Sequence, residues 1–153
     1  MHSLLKLFLG TVLVAGVAGT AQAQAPFAKM EDAIKYRKNA LFVMAQHFGR
    51  LGPVVKGERP YDKEEVARNV AIAEQMSHLP WAGFVAGSDK GETRAKPEIW
   101  SDAAKFKAAA DKMQQEMDKL SVAAKGGDLN AVKAQFGETG KACKACHDAY
   151  RKE

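Results

Sequence analysis

Apolar residues recur at steps of three and four along four stretches of the chain, which is the spacing of one face of a helix. The first stretch runs from about Met30 to Leu51, and the Gly-Pro pair after it predicts its end. The second begins at Asp62, where the sequence DKEE is typical of a helix N-terminus, and it ends before Pro80. Sustained alternation of apolar and polar residues, which would indicate strands, is absent from the sequence.

The third stretch follows Pro97 and closes at Gly126-Gly127, a pair suited to a helix C-cap. The fourth begins near Asp128 and continues to the end of the chain. The connections are short except for the glycine-rich segment 81–96, which must cross a wider gap or carry function. Four helices with short connections predict an all-α, antiparallel four-helix bundle. The four apolar stripes comprise Ile34, Leu41, Met44 and Phe48; Val66, Val70, Ala73 and Met76; Ala103, Phe106, Ala110, Met113, Met117 and Leu120; and Leu129, Val132 and Phe136.

The first 23 residues have the pattern of a secretory signal peptide. Lys6 precedes an apolar run from Leu7 to about Ala18, and small residues near Ala23 form a cleavage motif. The run is too short for a membrane span, which needs about 20 apolar residues. We therefore expect export to the periplasm and one domain over residues 24–153.

Charge adds little to this picture. The formal net charge is +5, and loss of Lys6 with the leader lowers it to +4. The lysines are spread along the chain, so they favour a solvated surface over a nucleic-acid site. No Walker-type or dinucleotide-binding glycine motif occurs in the sequence. We therefore expect no nucleic-acid partner and, for the mature chain, no membrane association.

The residues that carry chemistry concentrate at the C-terminus, in the window CKACHDAYRKE. Cys143 and Cys146 are the only cysteines of the chain, and His147 follows directly. Steps of three and four along the fourth stripe reach these positions, so we expect the thiols and the imidazole to point into the bundle.

Three chemistries compete for this window. A disulfide-exchange enzyme carries C-x-x-C at the start of a helix that follows a strand, whereas this motif lies late in the last helix. A zinc site would need a fourth ligand, and His47 and His78 stand alone on other segments, where surface or interhelical positions are expected. Covalent haem attachment is the standard meaning of C-x-x-C-H, because two thioethers can hold a porphyrin while the adjacent imidazole reaches its iron. Gly140, one turn earlier, either leaves room for that macrocycle or is a tolerated weak spot.

The first helix is expected to supply the face opposite His147. Arg37 lies between Ile34 and Leu41 on its apolar side, where a buried arginine needs an anion such as a haem propionate. The alternative is that Arg37 lies at the edge of the stripe and reaches water. Leu41 cannot ligate iron, which predicts an apolar lid over a five-coordinate metal. Met44 is the competing ligand, although methionines on such stripes more often fill cores.

An open iron under an apolar lid favours particular ligands. Nitric oxide and carbon monoxide can bind it, whereas bound dioxygen lacks a hydrogen-bond donor for its charge. Trp81 and Phe84 are predicted to form aromatic walls, either of the pocket or of the core.

The similarity of this chain to a known family rests on five segments: CKACHDAYR, YRKNAL, HFGR, LPWAGF and KPEIWSDAAKF. Together they resemble the cytochrome c′ family, the class II c-type cytochromes of proteobacteria, over residues 27–152. The resemblance implies an up-down-up-down four-helix bundle that encloses one covalently bound haem c. Members usually form homodimers through their first two helices, so a homodimer is an expectation from the resemblance alone.

By position, the resemblance implies thioether bonds at Cys143 and Cys146 and iron ligation by His147. Leu41 matches the distal leucine of the five-coordinate members, where six-coordinate relatives carry methionine. Arg151 matches an arginine near the proximal face, the side that can accept nitric oxide once the histidine is displaced.

The resemblance also implies a propionate contact for Arg37 and a position near the haem edge for Lys38. Glu92 and Thr93 match, more loosely, a loop near the propionates. The leading hypothesis is a periplasmic haem protein, not an enzyme, that binds nitric oxide and carbon monoxide and exchanges single electrons with an unidentified partner. Nitric oxide buffering is its candidate task. The alternatives are a dedicated six-coordinate electron-transfer cytochrome and a C-x-x-C thiol redox enzyme.

Overall fold

The computed structural model describes residues 27–153, so the predicted leader and the predicted cleavage near Gln24 lie outside the described residues. Within residues 27–153, no helix is both long enough and apolar enough to span a membrane. The elements in chain order are α1 (Met30–Gly49), α2 (Leu51–Val55), α3 (Lys63–Ser77), a 3₁₀ turn (Pro80–Gly83), α4 (Glu98–Ser101), α5 (Ala103–Gly126) and α6 (Leu129–Tyr150).

The four long helices pack in chain order, with α1 against α3, α3 against α5 and α5 against α6. Their apolar stripes meet in one core, which confirms the predicted all-α four-helix bundle. Burial of such stripes is the main source of helix stability in proteins of this kind. The fully buried members of the core are Met44, Leu51, Val54, Val66, Val70, Ala73, Met113, Met117, Leu120, Ala124 and Val132.

Local capping chemistry fixes the ends of three helices where the sequence predicts them. The Asp62 side chain accepts a hydrogen bond from the Glu65 N–H at 2.8 Å and starts α3. Gly127 has φ of 82°, the left-handed conformation that ends α5. The Asp128 side chain then accepts from the Asn130 N–H at 2.9 Å and starts α6.

Two details of the predicted boundaries are wrong. The first helix ends at Gly49, two residues before the predicted end, but Gly52 and Pro53 are not the stop signal, because they lie within α2. Proline is tolerated there because it lies in the first turn of α2, where its missing N–H needs no helical partner. The third predicted helix is two helices, since Asp102 leaves the helical conformation after α4 and its side chain caps α5.

The bundle is open between α1 and α6 at one end and closed at the other. Phe48 of α1 stacks on Phe136 of α6 with ring centroids 4.3 Å apart and closes the far end. At the open end, residues 84–97 run along the bundle and meet the end of α6, where Ala95 and Arg151 form an isolated antiparallel β-bridge. This arrangement leaves a large cavity between α1, α6 and the 84–97 segment.

Candidate functional site

The cavity has a volume of about 1040 Å³. That is at the upper end of the 300–1,000 Å³ typical of small-molecule and cofactor pockets. Its wall is mainly apolar, with charged groups at one side. All nine residues predicted for the site line this one cavity: Arg37, Lys38, Leu41, Glu92, Thr93, Cys143, Cys146, His147 and Arg151.

One wall of the cavity is the last two turns of α6. Cys143 and Cys146 are free cysteines and half-buried, and His147 is exposed at the cavity surface. As expected for side chains directed into the bundle, all three line the cavity, and Cys143 also packs against the hydrophobic core. Thr139, one turn before Cys143, is fully buried.

The electrostatics of the two thiols argue against a thiol redox enzyme. Burial raises the pKa of the Cys143 thiol above its usual value. Burial also raises the pKa of the Cys146 thiol, and the neighbouring Cys143 adds to this effect. Reactive cysteines of disulfide-exchange enzymes have lowered pKa values, since the thiolate is the nucleophile. Neutral thiols in an apolar wall suit covalent attachment of a ligand better than redox cycling.

The imidazole is also held in its neutral form. Burial lowers the pKa of His147, and the positive charge of Arg151 lowers it further. A neutral imidazole is the form that ligates iron. The geometry therefore keeps His147 available as a metal ligand.

Zinc does not fit the C-terminal window. Among residues 27–153, no set of three or more Cys, His, Asp or Glu side chains that includes Cys143, Cys146 or His147 brings its ligand atoms within 4.8 Å of one another. One such set occurs elsewhere: His78 with Glu74 and Asp118. His78 therefore does not stand alone, contrary to the sequence expectation, but all three residues lie at the surface. His47 is interhelical as predicted, with its Nδ1 2.9 Å from Oδ1 of Asn69 on α3.

Arg37 is buried, with 2% of its surface exposed, so the alternative that it reaches water from the edge of the stripe is wrong. Its Nη1 donates to the Gly83 carbonyl at 2.8 Å and to the Ser88 hydroxyl. Its Nη2 donates to the Ser88 carbonyl at 2.6 Å and to the Thr93 hydroxyl at 2.8 Å. The guanidinium also lies over the Phe84 ring, 4.6 Å from its centroid. Arg37 thus fastens the 84–97 segment to α1.

These contacts correct the premise that a buried arginine needs an anion. The four oxygens that accept from Arg37 belong to neutral groups, and burial lowers the pKa of the guanidinium despite the opposing charge of Asp89. A guanidinium has five N–H groups. Within residues 27–153 the two terminal nitrogens donate to protein oxygens, and these four hydrogen bonds do not use the Nε–H.

Lys38, Glu92 and Thr93 form the polar side of the cavity next to Arg37. The Lys38 ammonium donates to the Glu92 carbonyl at 3.2 Å. The Thr93 hydroxyl accepts from Arg37 and also from the Ala95 N–H at 3.1 Å. The structure therefore brings together the residues whose sequence match was loosest.

Leu41 and Met44 both line the cavity from α1. Leu41 is half-buried, whereas Met44 is buried and belongs to the core. Of these two side chains, the aliphatic Leu41 is the more exposed, and the Met44 thioether belongs to the buried core.

Aromatic rings close the cavity on the side of the 3₁₀ turn. Trp81 and Phe84 stack with centroids 6.0 Å apart, and both meet Phe106 of α5. Phe106 in turn contacts Tyr150, with centroids 5.2 Å apart. The two predicted wall residues therefore serve the pocket and the core together.

Sequence reasoning missed Ser88 and Gly83, the two other acceptors of Arg37. Ser88 is fully buried in the long connection, and nothing in its local sequence distinguishes it from an exposed loop serine. Gly83 carried a usable signal, because it lies within the WAGF segment. A Cβ at this position would lie 2.6 Å from the Ala33 carbonyl oxygen and 2.8 Å from the Cβ of Arg37, so the close contact of the turn with α1 requires glycine.

The donor set and the shape of the cavity fit a covalently held haem. Two thiols spaced i, i+3 and an adjacent imidazole line the cavity from α6, and apolar side chains that include Leu41 line it from α1. Gly140 lies on the cavity wall one turn before Cys143, and a Cβ there would have no other protein atom within 4 Å. The polar side offers donors to a propionate. Together the bundle, the C-x-x-C-H window and the cavity define a c-type haem protein.

Comparison with known proteins identifies the family. The family model described as cytochrome c′ matches residues 32–151, and the chain belongs to this family. It is 54% identical to cytochrome c′ of Alcaligenes xylosoxydans xylosoxydans over 127 residues, which cover 83% of this chain and 98% of that protein. It is 48% identical to cytochrome c′ of Rubrivivax gelatinosus over 128 residues, which cover 83% of this chain and 99% of that protein. The cofactor is therefore haem c, and the two cysteines of the chain are the residues that can attach it.

Solved structures agree in fold. A nitric oxide complex of a variant cytochrome c′ from Alcaligenes xylosoxidans superposes with a TM-score of 0.79 at 54% identity, over 83% of this chain and 98% of that chain. The crystal structure of cytochrome c′ from Rubrivivax gelatinosus gives a TM-score of 0.80 at 49% identity, over 82% and 99%.

Proposed function

We propose that this protein is a periplasmic gas-binding haem protein, with an iron that binds nitric oxide and carbon monoxide and exchanges single electrons. One observation carries the proposal: the C-x-x-C-H residues of α6 and Leu41 of α1 line the same cavity. When bound, the haem supplies an iron with an open position for small ligands. The nitric oxide complexes of the Alcaligenes xylosoxidans relative support the same ligand class here.

The residues of the chain have distinct tasks in this proposal. Cys143 and Cys146 hold the porphyrin, and the neutral His147 binds the iron from the α6 side. Leu41 keeps water and protein ligands from the opposite side and offers no hydrogen bond, which favours nitric oxide and carbon monoxide over dioxygen. Arg151 lies on the cavity wall one turn after His147, where a ligand on that side would meet its charge.

The polar side of the cavity is proposed to receive the propionates. Arg37 contributes its Nε–H there, and Lys38 and Thr93 add donors at the same rim. Because Arg37 also fastens the 84–97 segment, the propionates would bind to a wall that is already rigid.

A second candidate is a dedicated electron carrier with six-coordinate iron. The observation in its favour is that Met44 lines the same cavity as Leu41. Methionine with histidine is a common axial pair in electron-transfer cytochromes. Met44 would have to leave the buried core to reach the iron, which favours the five-coordinate proposal.

Absorption and EPR spectra of the purified ferric protein, and of the ferrous protein with and without carbon monoxide, test the proposal. We expect high-spin, five-coordinate iron that changes on adding carbon monoxide. A low-spin, six-coordinate ferric protein that ignores carbon monoxide would favour the electron carrier. Intact mass tests the attachment separately, since a thioether-bound haem remains with the denatured chain and two free thiols do not retain it.

Export and a role as a buffer of nitric oxide, without catalysis, complete the proposal. The leader pattern of residues 1–23 supports the periplasm, where covalent attachment prevents loss of the cofactor. Cell fractionation, with haem absorbance followed in the periplasmic extract, tests the location.

A further inference from the structure

The end of α6 is tied to the 84–97 segment by a set of contacts that the haem site does not require. Lys96 donates its backbone N–H to the Tyr150 carbonyl at 2.9 Å, and the Lys152 N–H donates to the Arg94 carbonyl at 2.7 Å. The Arg94 Nε–H donates to the Lys152 carbonyl and the Lys96 ammonium to the Asp148 carbonyl, each at 2.9 Å. We call these four hydrogen bonds the C-terminal clasp.

The clasp satisfies backbone groups that a helix end leaves unpaired. The last four carbonyls of an α-helix have no partner within the helix, and this turn frays unless something binds them. In α6 the His147 carbonyl accepts from the Arg151 N–H at 3.0 Å. The carbonyls of Asp148 and Tyr150 both accept from Lys96 of the clasp. The last turn of α6 is therefore held by Lys96 as well as by its own helix.

His147 lies in this last turn, and the clasp bonds begin one residue after it. Four of the five residues that make the clasp, Arg94, Lys96, Asp148 and Lys152, also line a smaller surface pocket, of about 430 Å³, that includes His147. Fraying of residues 148–152 would give the His147 backbone freedom to move away from the cavity. The contacts that prevent fraying come from a different part of the chain, 52 to 58 residues away.

We propose that the C-terminal clasp positions His147: by fixing the last turn of α6, Arg94 and Lys96 keep the imidazole at the iron. This inference rests on the proposed haem ligation. It makes Arg94 and Lys96 positioning residues, which act through the backbone of α6; Arg94 also lines the cavity, whereas Lys96 does not. Loosening the clasp should raise the fraction of iron that loses its histidine when a strong ligand competes from the other side.

The test uses the haem-loaded protein and the double variant Arg94→Ala/Lys96→Ala. This variant removes the two side-chain bonds and keeps the two backbone bonds, so the bundle is expected to fold. Lys107→Ala/Lys141→Ala is the matched control, because it also removes two positive charges, each paired only with a neighbouring carboxylate on its own helix. Lys96→Arg is the conservative variant that keeps a donor for the Asp148 carbonyl.

Two measurements are made on each protein. Hydrogen–deuterium exchange reports opening of residues 148–152, and the absorption and EPR spectra of the ferrous nitrosyl form report the share without a bound histidine. We expect the exchange rate and the ratio of histidine-free to histidine-bound iron each to rise at least about fivefold in the double variant, the factor for two exposed hydrogen bonds at the low end of the usual net strength. The control and Lys96→Arg should match the wild type.

Unchanged exchange in the double variant would overturn the clasp. Faster exchange with an unchanged histidine-free share would overturn its role in positioning His147. A failure of the proposed function looks different, because it shows in the wild-type spectra, before any variant is compared.

Discussion

At the scale of single residues, Arg37 shows how one side chain organises the site through contacts with the protein itself. It is buried on the apolar face of α1, and its terminal N–H groups donate hydrogen bonds to Gly83, Ser88 and Thr93. Burying a charge without partners is costly, so these bonds are what make the position tenable. Arg37 therefore links the α1 wall to the polar rim, and any propionate contact is added to a role that it already has.

Leu41→Ala tests the lid at the same scale. Removing the side chain opens the α1 side of the cavity. We therefore expect the affinity of the ferrous protein for carbon monoxide, or its association rate constant, to rise at least about tenfold, which corresponds to roughly 1.4 kcal/mol. Leu41 is half-buried, so the free energy of unfolding should fall by about 1–2 kcal/mol, below the range for fully buried leucines. Stopped-flow binding and denaturant titration measure the two effects.

Met44→Leu is the companion variant. It keeps an apolar side chain of similar volume in the core, and such swaps usually cost less than about 1.5 kcal/mol. If Met44 does not ligate the iron, the ferric spectrum and carbon monoxide binding stay as in the wild type.

For Leu41→Ala, unchanged carbon monoxide affinity and rates would contradict the position of Leu41 as the lid.

Glu116 is a second residue with an outsized role, because it joins α5 to α6 near the haem-bearing end. Its carboxylate accepts from Lys112, Lys119 and Gln135, and its carbonyl accepts from the Thr139 hydroxyl at 3.1 Å. These hydrogen bonds to the carboxylate lower the pKa of Glu116 from its usual 4.5 to about 2. The ionised form is therefore favoured in the folded protein.

A lowered pKa predicts how stability depends on pH. The contribution of Glu116 is fully present above pH 4.5 and is lost as the pH falls toward about 2, because over this range the unfolded state takes up the proton and the folded state does not. We expect Glu116→Gln to be less stable than the wild type near neutral pH, with the difference shrinking between pH 4.5 and 2. Urea titrations across this range measure it. Glu138→Gln, which alters an exposed pair with Lys141, should show little difference at any pH.

At the scale of the element, α6 both packs in the bundle and lines the cavity proposed for the cofactor. Its two glycines allow the two roles to be tested separately. Neither Gly137 nor Gly140 would bring a Cβ within 4 Å of another part of the protein, yet only Gly140 lines the cavity. Gly137→Ala should raise the free energy of unfolding by about 0.5–1 kcal/mol, the usual difference between glycine and alanine in a helix.

Gly140→Ala should not show the same gain in the haem-loaded protein. The helix propensity is identical, but the added methyl group enters the space proposed for the macrocycle. Thermal unfolding and the haem absorption bands compare the two variants directly. An equal gain at both positions, with unchanged bands, would mean that Gly140 is only a tolerated weak spot.

Elements with local signals could be predicted from the sequence, and those that depend on distant contacts could not. Asp62, Gly127 and Asp128 mark helix ends through bonds to their own neighbours, so their residue types are sufficient. The break at Asp102 escaped prediction because the apolar stripe continues across it. Ser88 escaped because its burial is set by Arg37, 51 residues earlier in the chain. The C-x-x-C-H residues could be predicted, because the spacing of two cysteines and a histidine in the sequence is itself the motif for haem attachment.

At the scale of the whole molecule, the exposed apolar residues are distributed unevenly. Of the six large apolar side chains that are most exposed within residues 27–153, three lie on α1 (Met30, Tyr36 and Phe42) and two on or just after α3 (Ile72 and Leu79). Val122 on α5 is the other. Phe42 lines the cavity, so its exposure belongs to the cofactor site. Exposed apolar residues on a small protein often mark an interface, and Met30, Tyr36, Ile72 and Leu79 are the residues that support the proposal, drawn from the family, of a homodimer through α1 and α3.

Ile72→Lys tests the dimer. In a two-fold symmetric interface the substitution occurs on both subunits, so two new positive charges would be placed in the interface and weaken association. We expect the dimer dissociation constant to rise by about tenfold or more, measured by sedimentation velocity over a range of concentrations. Val122→Lys introduces the same charge at a side chain that is more exposed, 71% against 37% for Ile72, but on the opposite pair of helices. It should leave the dissociation constant unchanged. If both variants weaken association equally, net charge rather than the α1–α3 face is responsible, and if neither does, the interface lies elsewhere.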